Sequence, residues 1–259
     1  MSNEIQSGDI FRLGPHRLIV GDARDQQTVA KLMGEEKVAE ILTDPPYGIA
    51  VVESRFGFSS GESQHKVIAN DHIQSEDEYL KFTKQWLDAI KPYLDKKNSI
   101  YVFNSDKMIF TLKDAMDQTG CHFAQLLIWV KTQAVIGRLD YLPQHELIAY
   151  GWFGRHKFRR SKDKSVLVYP KPSKSSLHPT MKPVGLLRKL ILNSTAVSDI
   201  IYDPFAGSGS SIMAAEQTKR RCFAIECDLD YCLKIMERYK KMTGVSAEKI
   251  SSHSDEKRN

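Results

Sequence analysis

"DIIYDPFAGSGSS", residues 199–211, passes from an apolar run through an acid and a proline into a turn of glycine and serine. Ile200, Ile201 and Tyr202 read as a buried strand, and "SIMAAEQTK" (211–219) behind the turn reads as a helix. Gly207 and Gly209 permit a tight turn and let a ligand approach the backbone closely. A glycine turn between strand and helix is where α/β proteins cradle nucleotides. It is not the dinucleotide fingerprint, because Ile212 stands where a third Gly or Ala would be, and no G-K-[ST] follows as in a Walker loop. The next strand, "RRCFAIECD" (220–228), closes on Glu226, whose carboxylate can accept both hydroxyls of a ribose. The pair suits a nucleoside with no pyrophosphate to hold. A glycine turn taken alone is equally a packing device.

The rest of the chain alternates in the same way. Strands are expected at "HRLIVGDA" (16–23), "VAEILTD" (38–44), "NSIYVFNS" (98–105), "HFAQLLIWVK" (122–131) and "HELIAYGWF" (145–153). Helices are expected over 25–35, 75–94, 106–120, 182–195 and 229–242, with Ser75 as an N-cap and Gly120 as a terminator. No internal repeat is present. The pattern predicts an α/β fold around a mostly parallel sheet, occupying residues 1–243 as one domain. Residues 48–74 read as a long polar loop, and 244–259 as a frayed polar tail.

In such sheets ligands lie beyond the carboxyl ends of the strands. A second tip there is unusual: "AEILTDPPYGIA" (39–50) ends a strand on an acid, two prolines and a tyrosine. Each proline lacks a backbone donor and fixes φ, so Asp44 and Tyr47 are held stiffly. The Asp44 carboxylate and the Pro45 carbonyl could each accept one N–H of an exocyclic amine, and the Tyr47 ring could stack on a base. The plain alternative is a proline-rich strand cap.

Composition sets the frame. The chain has 259 residues, 41% hydrophobic and 27% charged, ordinary values for a globular protein. No apolar run approaches the roughly 20 residues that span a membrane, and the N-terminus has no basic-then-apolar signal pattern, so a cytoplasmic location is expected. Cys121, Cys222, Cys227 and Cys232 lack zinc-site spacing and read as small buried hydrophobes, with no metal. The net charge is +5, yet "RHKFRRSKDKSVLVYPKPSK" (155–174) alone holds eight Lys/Arg against Asp163. Arg155, Lys157, Arg159, Arg160, Lys162 and Lys164 therefore form a candidate polyanion-binding segment within 150–177, the alternative being a solvated loop.

Together, "DPPY" (44–47) and "DPFAGSG" (203–209) resemble the amino-methylating DNA methyltransferases, in the permuted order of their β group. "HPTMKP" (178–183), "GDARD" (21–25) and "QHELIAYG" (144–151) are similar to further motifs of that group, and the likeness covers roughly residues 8–242. The resemblance implies a circularly permuted Rossmann-like fold: a twisted, mostly parallel seven-stranded sheet with helices on both faces. It implies S-adenosylmethionine as cofactor, and transfer of its methyl group to adenine N6 of double-stranded DNA after base flipping. Asp44, Pro45, Pro46 and Tyr47 would hold the amine. The cofactor would be held by Asp22, Ala23, Asp44, Thr180 and Lys182, by Asp203, Pro204, Phe205, Ala206, Gly207, Ser208, Gly209 and Ser210, and by Glu226, Cys227 and Asp228. The last strand would lie beside "HRLIVGDA". A second copy of the chain remains a candidate partner, because dimers occur in this group. Cytosine N4, an RNA or protein amide, and a non-catalytic nucleoside-binding subunit remain the alternatives; an intact Asp44 and Tyr47 argue against the last.

Overall fold

The computed structural model describes residues 5–46, 75–134, 140–160, 162–171 and 181–250. Strands β1 (Ile10–Leu13) and β2 (His16–Val20) form a hairpin, and helix α1 (Gln26–Met33) leads to β3 (Val38–Thr43). Then come α2 (Glu76–Ile90), β4 (Leu94–Asn104), α3 (Ile109–Thr119), β5 (Cys121–Val130) and β6 (His145–Phe153). Two short strands follow, β7 (Arg155–His156) and β8 (Val166–Val168). The chain ends with α4 (Val184–Ser194), β9 (Ile200–Asp203), α5 (Ser210–Thr218), β10 (Arg221–Glu226), α6 (Leu229–Thr243) and β11 (Glu248–Ile250).

The strands join one eleven-stranded sheet in the order β11-β1-β2-β10-β9-β3-β4-β6-β5-β8, with β7 against β4. Its middle, β2 to β5, is the expected seven-stranded, mostly parallel sheet, in which β6 alone is reversed. As expected, β10 lies parallel beside β2. The sequence reading did not anticipate β1, β7, β8 or β11. The last of these corrects the frayed tail: Ile250 pairs with Ile10, so the chain stays in the sheet beyond Gly244.

Side chains of a strand alternate between its faces. Ile41, Ile100, Val102, Tyr202 and Phe223 enter one core with α1, α2 and α3, while Leu42, Tyr101, Phe103, Ile201 and Ala224 enter the other with α4, α5 and α6. Both faces being covered, the central strands are mostly apolar, with Glu40 of β3 a buried exception. Helix starts are written in the sequence. Asp25 caps α1, Ser75 forms a capping box with Glu78, and Asp228 caps α6. Gly120, at φ 82°, ends α3. Cys121, Cys222 and Cys232 are buried as expected, but Cys227 is exposed. No helix among the described residues is long and apolar enough to cross a membrane.

Gly151 lets β6 and β5 approach where β5 shifts register; a Cβ there would lie 2.2 Å from the His122 carbonyl oxygen. Backbone cannot yield as a side-chain tip can. Gly151→Ala is expected to lower unfolding stability by about 3 kcal/mol in urea denaturation; an unchanged midpoint would show that the two strands can part at no cost.

Candidate active site

The sheet order sets chemical groups in a row at the carboxyl ends of its parallel strands. Asp22 follows β2, Glu226 ends β10, Asp203 ends β9, Asp44 follows β3 and Asn104 ends β4. Because β6 is reversed, its start brings Glu146 to the same edge, beside Lys131 after β5. Neighbouring strands are about 5 Å apart, so the glycine turn and the proline tip are adjacent.

On the glycine-turn side, Gly207 and Gly209 have φ of 51° and 74°, a region open to Gly but disfavoured for other residues. Glu226 holds the turn: Oε2 accepts the Gly207 N–H at 2.8 Å and Oε1 the Asp228 N–H at 2.9 Å. Burial pushes its carboxyl up to about 7, against the pull of those two donors. Arg238 of α6 braces the turn from outside, donating to the Ser208 carbonyl at 2.7 Å and reaching the Ser210 hydroxyl at 3.2 Å. Phe205 packs on Phe82 and Trp86. Pro204 and Ala206 are buried. Asp22 is gripped by Arg24, whose Nη2 lies 2.6 Å from Oδ2. Ala23 lies in the core and Asp228 caps α6, so the side chains of these two serve the fold.

Asp203 joins the two tips. Oδ1 accepts from Thr43 Oγ1 at 2.8 Å and Oδ2 from Ser211 Oγ, with the Phe205 N–H also on Oδ1. Burial pushes this carboxyl up to about 6. This group, expected at the cofactor, braces β3, β9 and α5.

On the proline side, Pro45 is buried and Asp44 is half-buried. Lys182 Nζ donates to Asp44 Oδ2 and lies 3.2 Å from Glu146 Oε2; Lys131 lies 2.9 Å from Glu146 Oε1. The four groups alternate in sign. Burial would strip the Lys182 proton, but Asp44 and Glu146 reverse this and raise its pKa above the usual lysine value. Burial likewise opposes the Glu146 charge, and Lys182 and Lys131 overcome it and hold that carboxyl below its ordinary range. Lys182, expected at the cofactor, pairs with Asp44 and Glu146. Tyr79, fully buried on α2, accepts from Asn104 Nδ2 at 2.7 Å at the end of β4. Tyr47, Thr180 and the 48–74 loop lie outside the described residues.

The basic segment is not gathered at these tips. The reversed β6 carries the chain to the opposite end of the sheet, where Arg155 and His156 pair with Lys97 and Asn98. Asn98 is six residues before Asn104, about 20 Å along β4. Lys157 is bound to Asp199 at 2.6 Å, and the Arg159 N–H donates to the Asn193 carbonyl near the end of α4. Arg160, Lys162 and Lys164 are exposed on the limb that climbs back toward β8. The candidate polyanion-binding residues are thus divided by strand direction between the far end of the sheet and the limb toward β8. Arg238 and Lys131 were not anticipated. Nothing in their local sequence marks them, whereas an acid inside the apolar "HELIAYG" did mark Glu146.

A family model described as DNA methylase, for N6 and N4 methyltransferases, matches residues 38–237. The Type II methyltransferase M2.DpnII of Streptococcus pneumoniae is 25% identical over 263 residues, covering 92% of this chain and 96% of that protein. Among solved structures, the M1.HpyAVI–SAM complex superposes with a TM-score of 0.66 at 22% identity, covering 85% of this chain and 97% of that one. The PvuII DNA methyltransferase, titled cytosine-N4-specific, also reaches 0.66, at 14% identity, covering 88% and 91%. With its two tips side by side on a permuted sheet and the family match spanning residues 38–237, the chain belongs to the N6/N4 DNA methylase family.

Proposed function

We propose that the chain methylates the exocyclic N6 amine of adenine within a specific sequence of double-stranded DNA, with S-adenosylmethionine as donor. The observation that carries this is the tie between Thr43 and Asp203, which sets an amine-accepting tip beside a nucleoside-cradling turn. The cradle fits the adenosine part of the cofactor: a glycine backbone without Cβ atoms, and a Glu226 carboxylate fixed by two backbone donors with acceptor capacity left for a ribose. When bound, S-adenosylmethionine supplies a methyl group on a sulfonium. The Pro204–Ser210 backbone would line its nucleoside, and the paired Asp22 and Arg24 would face the adenine edge, with Cys227 nearby. Thr180 would flank the methionine end.

Asp44 and the Pro45 carbonyl would accept the two hydrogens of the target amine, drawing its lone pair out of conjugation with the ring. Lys182 anchors Asp44 through Oδ2, Glu146 anchors Lys182 and Lys131 anchors Glu146, so the acceptor would be fixed before the base arrives. Pro46 adds rigidity and Tyr47 a stacking face. A paired base must first leave the helix, at a cost of a few kcal/mol. An aspartate at the first motif position supports adenine, since in this family Ser goes more often with cytosine. Cytosine N4 is the second reading, because its amine has the same geometry and a neighbour so titled shares the fold.

Labelled S-adenosylmethionine and mixed-sequence duplex DNA, digested to nucleosides, should yield label in N6-methyladenine; label in N4-methylcytosine alone would sink the adenine assignment. In the same assay Asp44→Ala should lower turnover by about 10²–10³-fold while cofactor binding is kept. Turnover surviving that change would move the acceptor elsewhere. A second outcome concerns pH. Glu226 accepts ribose hydroxyls far more strongly when ionised, and its carboxyl sits at about 7, so affinity weakens as pH falls through that value. Calorimetry should find binding about tenfold weaker at pH 6 than at pH 8, and a flat profile for Glu226→Gln. A flat profile for the unaltered protein would remove Glu226 from the ribose. Finally, replacing Arg155 and Arg159 together should leave the salt slope of DNA binding unchanged, because they lie at the far end of the sheet. A slope shallower by about 2 would put DNA at that end after all.

A further inference from the structure

A cavity of about 370 Å³ lies on the α4 face of the sheet, below the row of strand tips. It is bounded by β4, β5 and β6, by the end of α4 and by the limb that carries Phe158 to Ser165. Its volume falls within the range of small-molecule sites. Its floor is aromatic. The Tyr101 and Tyr150 rings stack at 4.9 Å, and Trp152 and Phe158 set their rings edgewise to Tyr150 at 5.7 and 6.1 Å.

The polar groups are placed differently. Asn193, 5% exposed, donates through Nδ2 to Asp163 Oδ2 at 2.7 Å, which fixes the orientation of its amide. Its Oδ1 is buried and has no hydrogen-bond partner. Leaving a buried carbonyl unpaired costs about 1–3 kcal/mol, so an occupant that brings a donor, met by a small shift of the Asn193 amide toward the cavity, would complete the site. Asp163 is itself neutralised by Lys189 at 2.9 Å. The charge left at the rim is therefore positive, from the exposed Lys162 and Lys164.

We propose that this cavity binds a nucleotide. A planar base would stack on the Trp152 ring and meet Tyr150 edgewise, a base N–H would reach Asn193 Oδ1, and the phosphate would lie between Lys162 and Lys164. The proposal does not depend on the methyl-transfer reading, because these residues lie away from the glycine turn and the proline tip.

Calorimetry with adenosine monophosphate, run with S-adenosylhomocysteine in excess to block the other nucleoside site, tests it. Binding is expected, and the Lys162→Ala/Lys164→Ala protein, altered only at exposed positions, should bind about tenfold more weakly, as should Asn193→Leu. Adenosine should bind the unaltered protein more weakly than its monophosphate. Competition by a single-stranded oligonucleotide would show that the nucleotide comes from nucleic acid; lack of competition would show that it is free. No binding at millimolar nucleotide, or binding untouched by the lysine and asparagine changes, would overturn the proposal and leave the cavity to water.

Discussion

Asp203 spends both of its oxygens on the protein. Thr43, Ser211 and the Phe205 amide converge on one buried carboxylate, so the last residue of β3, the last residue of β9 and the start of α5 move as a unit. Asp44 comes directly after Thr43, and Pro204 directly after Asp203. A reaction that must align three atoms in a line loses rate steeply with displacements near 1 Å. Two separate ligand sites joined only by loops could not hold that tolerance. Adjacent strands sharing a carboxylate can, and the remaining features of the edge refine the geometry this contact sets.

The refinement is largely electrostatic. A buried ammonium is costly unless it is paired, and Lys182 meets this demand with Asp44 on one side and Glu146 on the other. The Phe103 ring lies under its charge at 5.2 Å, as Trp129 does for Lys131 at 5.5 Å. The acceptor is thus held by groups drawn from three further stretches of chain, none of which needs to touch a substrate. Arg238 does the same for the glycine turn with a side chain from the final helix. In both halves the groups facing a ligand are short and stiff, and their anchors are long cations reaching in from behind.

The strand tips were legible because glycine and proline punctuate them after apolar runs, and the mostly parallel α/β sheet followed from the alternation of elements. Legibility ended where information is not local. β1, β7, β8 and β11 have two to four residues each, too few for any period to register. The basic segment was visible as composition, but composition carries no direction, and the reversal of β6 puts its start at the end of the sheet opposite the strand tips. Lys182 was singled out from its motif, but its pairing with Asp44 and Glu146 was not legible, because motif order does not show which carboxylates a neighbouring strand supplies.

The pairing of β2 with β10 also bears on how the chain is made. His16 reaches Cys222 across 206 residues, and Arg12 reaches Glu248 across 236. By contrast β3, β4, β5 and β6 all fall within residues 38–153 and can pair soon after they emerge from the ribosome. At about 5–20 residues per second, β2 waits roughly 10–40 s for its partner. Over that interval its apolar edge is an open template for other chains. The half of the sheet that carries the Asp44 tip is thus built first, and the half that carries the glycine turn closes only when synthesis is nearly complete.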